Sequence, residues 1–107
     1  MKLYYSPTSP FVRKVWVSIL ESGLADKIER IEVNPLSPDD VRNSPNPLGK
    51  IPCLITDDDV VLFDSPVIVD YLDGQHDGNR LVPEAGPRRW NALRRQALGD
   101  GMLDSVV

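Results

Sequence analysis

Residues 2–20 have the sequence KLYYSPTSPFVRKVWVSIL, in which a short strand pattern is followed by a turn and then by a helix pattern. Ser9 followed by Pro10 signals a helix start, because serine caps an N-terminus and proline suits the first helical position. The next apolar residues recur at the spacing of one buried helical face: Val12, Val15, Trp16, Ile19 and Leu20. The stretch therefore predicts a strand over 2–5 and a helix from Pro10 up to Gly23.

The rest of the chain supplies three more strand patterns and another helix start. A second strand is predicted over 28–33, followed by a proline-containing turn and a short, poorly defined helix. The third strand, over 51–55, and the fourth, over 60–63, are joined by a hairpin turn. Ser65-Pro66 then repeats the signal of an N-cap followed by proline. The order βαβ, loop or helix, then ββα predicts an α/β fold of thioredoxin type with a mixed sheet.

The length of the chain allows one complete domain and the start of another. Its 107 residues are enough for one compact core and too few for two. We predict a thioredoxin-like domain over 1–78, a linker over 79–87 and the beginning of a helical C-terminal domain over 88–107. The last segment carries a wide apolar surface, formed by Trp90, Leu93, Ala97, Leu98, Met102 and Val106. We therefore expect the natural chain to continue past Val107.

Charge and hydropathy exclude several classes of partner. With a net charge of −4, the chain has no overall electrostatic attraction for nucleic acid, so we expect no nucleic-acid partner. No apolar run is long enough for a membrane helix, and we expect no membrane partner. The N-terminus enters strand-like sequence directly, without the apolar region of a signal peptide. The expected compartment is the cytoplasm.

The chain has one cysteine, Cys53, and one histidine, His76. A single cysteine forms no internal disulfide and no paired-cysteine metal site, so we expect no metal. Cys53 follows a proline inside a predicted strand, which favours a small buried apolar residue over a redox centre. His76 lies in a polar stretch, and we predict a solvated loop residue.

Three segments resemble the signature segments of one family. They are SPTSPFVRKV over 6–15, NPLGKIP over 46–52 and FDSPVI over 63–68, and their order and spacing resemble those of cytosolic glutathione transferases. The resemblance covers about residues 1–80 and points to a bacterial, serine-type member. ALGDGMLD over 97–104 is similar to the first helix of the family's C-terminal domain. The resemblance implies a thioredoxin-like fold that binds glutathione as co-substrate.

The resemblance assigns the γ-glutamyl end of glutathione to Asp64 and Ser65. Asp64 can pair with the ammonium group, while the Ser65 hydroxyl and the first amides of its helix hold the adjacent carboxylate. The alternative is purely structural: Ser65 caps the helix and Asp64 complements the helix dipole. On local sequence alone the structural interpretation is favoured, and the resemblance reverses that order.

The resemblance places the rest of the tripeptide along the segment before the third strand and the start of helix one. Ile51, ahead of a cis Pro52, turns its backbone N–H and C=O toward the cysteinyl part. Lys50 reaches the glycyl carboxylate; the alternative is an exposed loop lysine without a role in binding. Phe11 lines the mouth of the site.

Ser9 occupies the position that is catalytic in the family that this chain resembles. A thiol of pKa about 8.5 must fall by about two units to be mostly thiolate at neutral pH, which costs roughly 3 kcal/mol. One charge-assisted hydrogen bond and a helix N-terminus together supply about that amount. The alternative is that Ser9 only caps helix one, and that Ser6 or a backbone amide has the catalytic role.

Together these residues imply a glutathione transferase, in which the thiolate attacks a small hydrophobic electrophile. Members of the family are usually homodimers, and Asp100 or Asp104 can contribute to the site across the interface, although a solvated helix face is the simpler interpretation of both. The first alternative is a glutathione-dependent thiol-disulfide oxidoreductase, since omega-like relatives carry cysteine where this chain has Ser9. Serine forms no mixed disulfide, which disfavours that chemistry. The second alternative is a non-catalytic glutathione-binding or adaptor module.

Overall fold

A computed structural model describes residues 1–106, and its first half is the predicted strand-helix-strand unit. Strand β1 is Lys2–Tyr5, helix α1 is Pro10–Glu21 and strand β2 is Glu29–Glu32. Helix α1 begins at the predicted proline, because Ser9 caps it. A short 3₁₀ helix at Ala25–Lys27, which the sequence analysis did not predict, joins α1 to β2.

The second half adds an antiparallel hairpin to the same sheet. After the short helix α2, Pro38–Arg42, come strand β3, Cys53–Ile55, and strand β4, Val61–Leu62. The strand order is β2-β1-β3-β4, with β1 parallel to β2 and antiparallel to β3. Strands β3 and β4 are antiparallel. The mixed sheet confirms the predicted thioredoxin-like fold.

Helix α3 is Ser65–Asp73, and the prediction of Ser65 as its N-cap is wrong. The N-cap is Asp64, whose carboxylate accepts a hydrogen bond from the Ser65 N–H at 2.7 Å. Both residue types cap helices well, and here the aspartate one position earlier has the extended backbone of a cap. Ser65 becomes the first helical residue and Pro66 the second, where the backbone has no intrahelical partner to lose.

The core lies between the sheet and helices α1 and α3. Its buried apolar residues are Leu3, Val15, Ile19, Leu24, Leu54, Ile68, Val69, Leu72 and Val82. Leu20, predicted on the buried face of α1, is 54% exposed, so that prediction is wrong. It lies one helical step, about 100°, past the fully buried Ile19, which places it on the flank of the stripe. Trp16 is half-buried, with the Arg30 guanidinium 4.3 Å from its ring centroid.

The chain after α3 folds back over the end of that helix. Asp73 is buried and accepts hydrogen bonds from the backbone N–H groups of Leu81, at 2.9 Å, and Val82, at 2.8 Å. His76 was predicted to be solvated, and this is wrong: its side chain is 11% exposed, with Nε2 4.0 Å from an Asp73 oxygen. The buried carboxylate draws the loop inward, and His76 is covered with it.

Helix α4, Gly86–Val106, follows this loop. Ala92 and Leu93 pack against the core, while Trp90, Leu98 and Met102 are exposed. The division of the chain at 78 and 87 stays a prediction, and Val107, the end of its last segment, lies outside the described residues. None of the helices within residues 1–106 has both the length and the apolarity needed to cross a membrane.

Candidate functional site

A cavity of about 670 Å³ lies where the start of α1, the loop before β3, the start of α3 and helix α4 meet. Six of the residues predicted for the glutathione site line it: Ser9, Phe11, Lys50, Ile51, Pro52 and Asp64. Ser65, the seventh, does not line the cavity and has no exposed surface. The three signature segments, far apart in sequence, therefore meet at one cavity.

Ser9 caps α1 with an oxygen lone pair and retains its hydroxyl proton. Its Oγ accepts a hydrogen bond from the Val12 N–H at 3.3 Å. A hydroxyl carries one donor and two acceptor lone pairs, so this contact leaves the O–H available to donate into the cavity. Capping and donation, which the sequence analysis set against each other, are compatible at this residue.

Ser6, the alternative to Ser9, also lines the cavity but already has a hydroxyl partner. Its Oγ lies 3.1 Å from the Thr8 Oγ1, and Ser6 is buried. Thr8 lines the cavity as well and had no assigned role. Its only sequence signal was its position within the turn between β1 and α1.

The loop before β3 is built around Asn46, the first residue of the signature segment 46–52, to which the sequence analysis assigned no role. Asn46 is buried, donates from Nδ2 to the Lys50 carbonyl at 2.9 Å and accepts from the Leu48 N–H at 2.9 Å. These two bonds close the loop on itself. Asn46 thus fixes the backbone that carries Lys50 into the cavity wall, and its place in the signature segment 46–52 was the signal that could have found it.

Two further features shape the same loop. Gly49 has a positive φ of 67°, and a Cβ built there would lie 2.6 Å from the Val41 Cγ1. Only glycine fits both the conformation and the close approach of α2. The Ile51–Pro52 peptide bond is cis, as the sequence resemblance implied.

Asp64 and Ser65 present contrasting environments at the start of α3. Asp64 lines the cavity and uses one carboxylate oxygen to cap the helix, leaving acceptor capacity on the carboxylate. The Ser65 Oγ is buried and has no hydrogen-bond partner among residues 1–106. An unpaired buried hydroxyl costs free energy. The Ser65 hydroxyl is therefore an unused hydrogen-bond donor next to Asp64, outside the cavity lining.

Helix α4 adds two acids to the cavity from the same chain. Asp100 and Asp104 line it, and the Lys14 ammonium on α1 lies 3.0 and 2.8 Å from the two Asp100 oxygens. Lys50 is the one basic side chain among the lining residues. The cavity wall thus has a positive group at the loop before β3 and negative groups at α3 and α4.

Cys53 lies outside the cavity lining and is fully buried, as predicted. Burial raises the pKa of its thiol above the ordinary value. The nucleophilic thiolate is therefore disfavoured at neutral pH. Among the described residues, no group of three or more His, Cys, Asp or Glu side chains is arranged to hold a metal ion.

The fold and the cavity define a class: thioredoxin-like domains with a polar cleft between the first helix start, a cis-proline loop and an acid-capped helix. Residues 3–80 match the family model described as Glutathione S-transferase, N-terminal domain. The chain belongs to the glutathione S-transferase family.

Individual relatives agree with this assignment. A glutathione transferase family member from Pseudomonas fluorescens Pf-5, solved with bound glutathione, is 47% identical with a TM-score of 0.88, over 96% of this chain and 51% of that one. The uncharacterized GST-like protein YibF of Escherichia coli K12 is 36% identical over 105 residues, 98% of this chain and 51% of the relative. A stringent starvation protein A homolog of Coxiella burnetii is 34% identical over 83 residues, 78% of this chain and 38% of the relative. The chain spans about half the length, or less, of these relatives.

Proposed function

We propose that the cavity binds glutathione and that the protein conjugates the glutathione thiolate to a small hydrophobic electrophile. The observation that carries the proposal is Ser9, which caps α1 through an oxygen lone pair and keeps its hydroxyl proton for a ligand at the cavity. The Pseudomonas fluorescens relative, solved with bound glutathione, supports the ligand.

We orient the tripeptide by the two charged residues in the family-matched part of the cavity, Asp64 and Lys50. Asp64 pairs with the γ-glutamyl ammonium, and Lys50 with the glycyl carboxylate at the other end. The backbone of Ile51 bonds the cysteinyl part between them. The amides at the start of α3 take the γ-glutamyl carboxylate; the unpaired Ser65 Oγ would have to become exposed at the cavity to join them. Phe11 lies at the mouth.

Ser9 acts on the sulfur. The thiol proton leaves to solvent, and the Ser9 O–H donates a hydrogen bond to the resulting thiolate near the N-terminus of α1. The sulfur then attacks the electrophilic carbon, forming the S–C bond while the leaving group departs with its electron pair. The bond from Ser9 stabilises the attacking anion by about 1.5–3 kcal/mol.

A thiol-disulfide oxidoreductase is less well supported. Ser9 forms no mixed disulfide, and Cys53, the one cysteine, is buried away from the cavity with a raised thiol pKa. A non-catalytic binding module remains the second candidate, supported by the similarity to a stringent starvation protein A homolog. A homodimer and a cytoplasmic location stay predictions.

Replacing Ser9 by alanine in the intact natural protein tests the proposal. We expect conjugation, measured as kcat/KM, to fall by about 10- to 100-fold, because the hydrogen bond to the anion is lost. Glutathione affinity, measured by calorimetry, should change far less. Ser6→Ala is the matched control: it removes a hydroxyl of the same cavity that is already paired with Thr8.

The outcomes separate the candidate functions. A wild type that binds glutathione without conjugating any electrophile supports the binding module instead. Equal rates for wild type and Ser9→Ala would remove Ser9 from the catalytic role. Absence of glutathione binding at millimolar concentration would refute both candidates.

A further inference from the structure

Helix α4 is the part of the cavity wall that lies beyond the family-matched residues 3–80. It contributes Asp100 and Asp104, both in its second half. The apolar contacts of α4 with the core are in its first half, at Ala92 and Leu93. Leu98 and Met102, in the second half, are 65% and 62% exposed. Within residues 1–106, no apolar side chain in the second half of α4 packs against the core, although Leu103 is partly buried.

Within the same residues, an ion pair joins that half of α4 to α1. The Lys14 ammonium donates to both oxygens of Asp100, at 3.0 and 2.8 Å, and the two side chains are 25% and 19% exposed. Lys14 lies five residues after Ser9 in α1, about 7.5 Å along the helix axis. Asp100 lines the cavity and Lys14 does not. Lys14 thus anchors the wall from behind, without being part of it.

A second ion pair holds the opposite end of α4. Arg89 lies 3.3 Å from Asp70 on α3, and it also donates to the Pro83 carbonyl at 3.2 Å. Arg89 and Asp100 are separated by 11 residues, about 16 Å along the helix. The two ion pairs therefore contact α4 at two separate points. The point at Asp100, which pairs with Lys14, lies at the cavity.

We propose that Lys14 is a positioning residue for the second substrate: its ion pair with Asp100 fixes the cavity wall that meets the group attached to the glutathione sulfur. This inference rests on the proposed function. The residues assigned to the tripeptide lie between Ser9 and Ser65, on elements that the apolar core holds. Loss of the ion pair should therefore disturb the electrophile side of the cavity and leave the glutathione side in place.

The test compares two ligands that share the tripeptide. Glutathione occupies one side of the cavity, whereas S-hexylglutathione also places an alkyl chain on the electrophile side. We measure both affinities by calorimetry on the intact natural protein and follow their ratio. Lys14→Met should weaken S-hexylglutathione by about three- to tenfold relative to glutathione, the range expected for losing a partly buried ion pair.

Three matched variants show whether position or charge is responsible. Lys14→Arg keeps a cation that can donate to both Asp100 oxygens, and it should keep the ratio within about twofold of wild type. Arg89→Met breaks the ion pair at the other end of α4 and should also leave the ratio unchanged. The double variant Lys14→Met with Asp100→Asn removes the uncompensated carboxylate, and it should retain the altered ratio of Lys14→Met if position is what matters.

The results divide cleanly between this inference and the function on which it rests. An unchanged ratio in Lys14→Met, with wild type binding both ligands, overturns the positioning role alone. Restoration of the ratio in the double variant also overturns it, because charge would then be the cause. A wild type that binds neither ligand overturns the proposed function and this inference together.

Discussion

Helices α1 and α4 both line the cavity, but different forces hold them. Helix α1 buries Val12, Val15 and Ile19 against the core. Helix α4, although much longer, packs Ala92 and Leu93 against the core, leaves Trp90 67% exposed and forms ion pairs at Arg89 and Asp100. Apolar burial is insensitive to salt and strongly stabilising, whereas partly exposed ion pairs are weak and screened.

Because α1 is held by buried packing and α4 also by ion pairs, we expect the two sides of the cavity to differ in rigidity. The side that carries Ser9 is continuous with the core, so its geometry is stable to changes at the surface. The side that carries Asp100 is joined to α1 by an ion pair, which we expect to be broken more easily than buried apolar packing. In the proposed reaction, the tripeptide, which does not change from one substrate to another, contacts the side that carries Ser9. The variable electrophile contacts the side that carries Asp100.

The largest expected effect on the free energy of unfolding comes from removing a buried side chain of α1. Ile19→Ala removes a fully buried side chain and should lower the free energy of unfolding by about 2–5 kcal/mol. Leu98→Ala is the matched change on α4, where the side chain is 65% exposed, and should cost less than about 0.5 kcal/mol. Urea unfolding followed by circular dichroism measures both. Equal losses would contradict the assignment of burial to α1 and ion pairing to α4.

An intermediate effect is expected at the cis-proline loop, which packs against α2. Gly49→Ala places a Cβ 2.6 Å from Val41 and forces a left-handed backbone on alanine, so we expect a loss of about 2–3 kcal/mol. Gly23→Ala is the control, since Gly23 has φ 69° but no atom within 4 Å of the added Cβ. It should cost only the backbone term, about 1 kcal/mol. Thermal unfolding compares them; similar losses would mean that the Val41 contact relaxes without cost.

Features that depend on a few neighbouring residues were predictable from the sequence. Ser9 and Pro10 gave the start of α1 to the residue, because capping involves only the first turn. The alternating and helical periods gave the element order and hence the mixed sheet. Within the candidate site, Ser9, Lys50 and Asp64 were found through the segments that resemble a family, and the structure brings these segments to one cavity.

Features that depend on tertiary contacts were not predictable in the same way. His76 was assigned to solvent because its neighbours in sequence are polar, yet the buried Asp73 draws its loop inward. Asn46 was quoted in the signature segment 46–52 without a role, because its two hydrogen bonds exist only once the loop has closed. The role of Lys14 depends on where α4 crosses α1, about which a helical period says nothing.

The smallest effect is expected at the end of α4 far from the cavity. Asp70→Asn removes the carboxylate that binds both Arg80 and Arg89, so the first turns of α4 should open more often. We expect amide hydrogen exchange there to accelerate by about two- to fivefold, with the core amides unaffected. Because exposed charges are screened, high salt should reproduce the acceleration in wild type. Asp39→Asn, which breaks the exposed Asp39–Arg42 pair within α2, is the control and should leave α4 unchanged. Unaltered exchange in Asp70→Asn would mean that Ala92 and Leu93 hold this end by packing alone, and the contrast between α1 and α4 would then apply only to the half of α4 at the cavity.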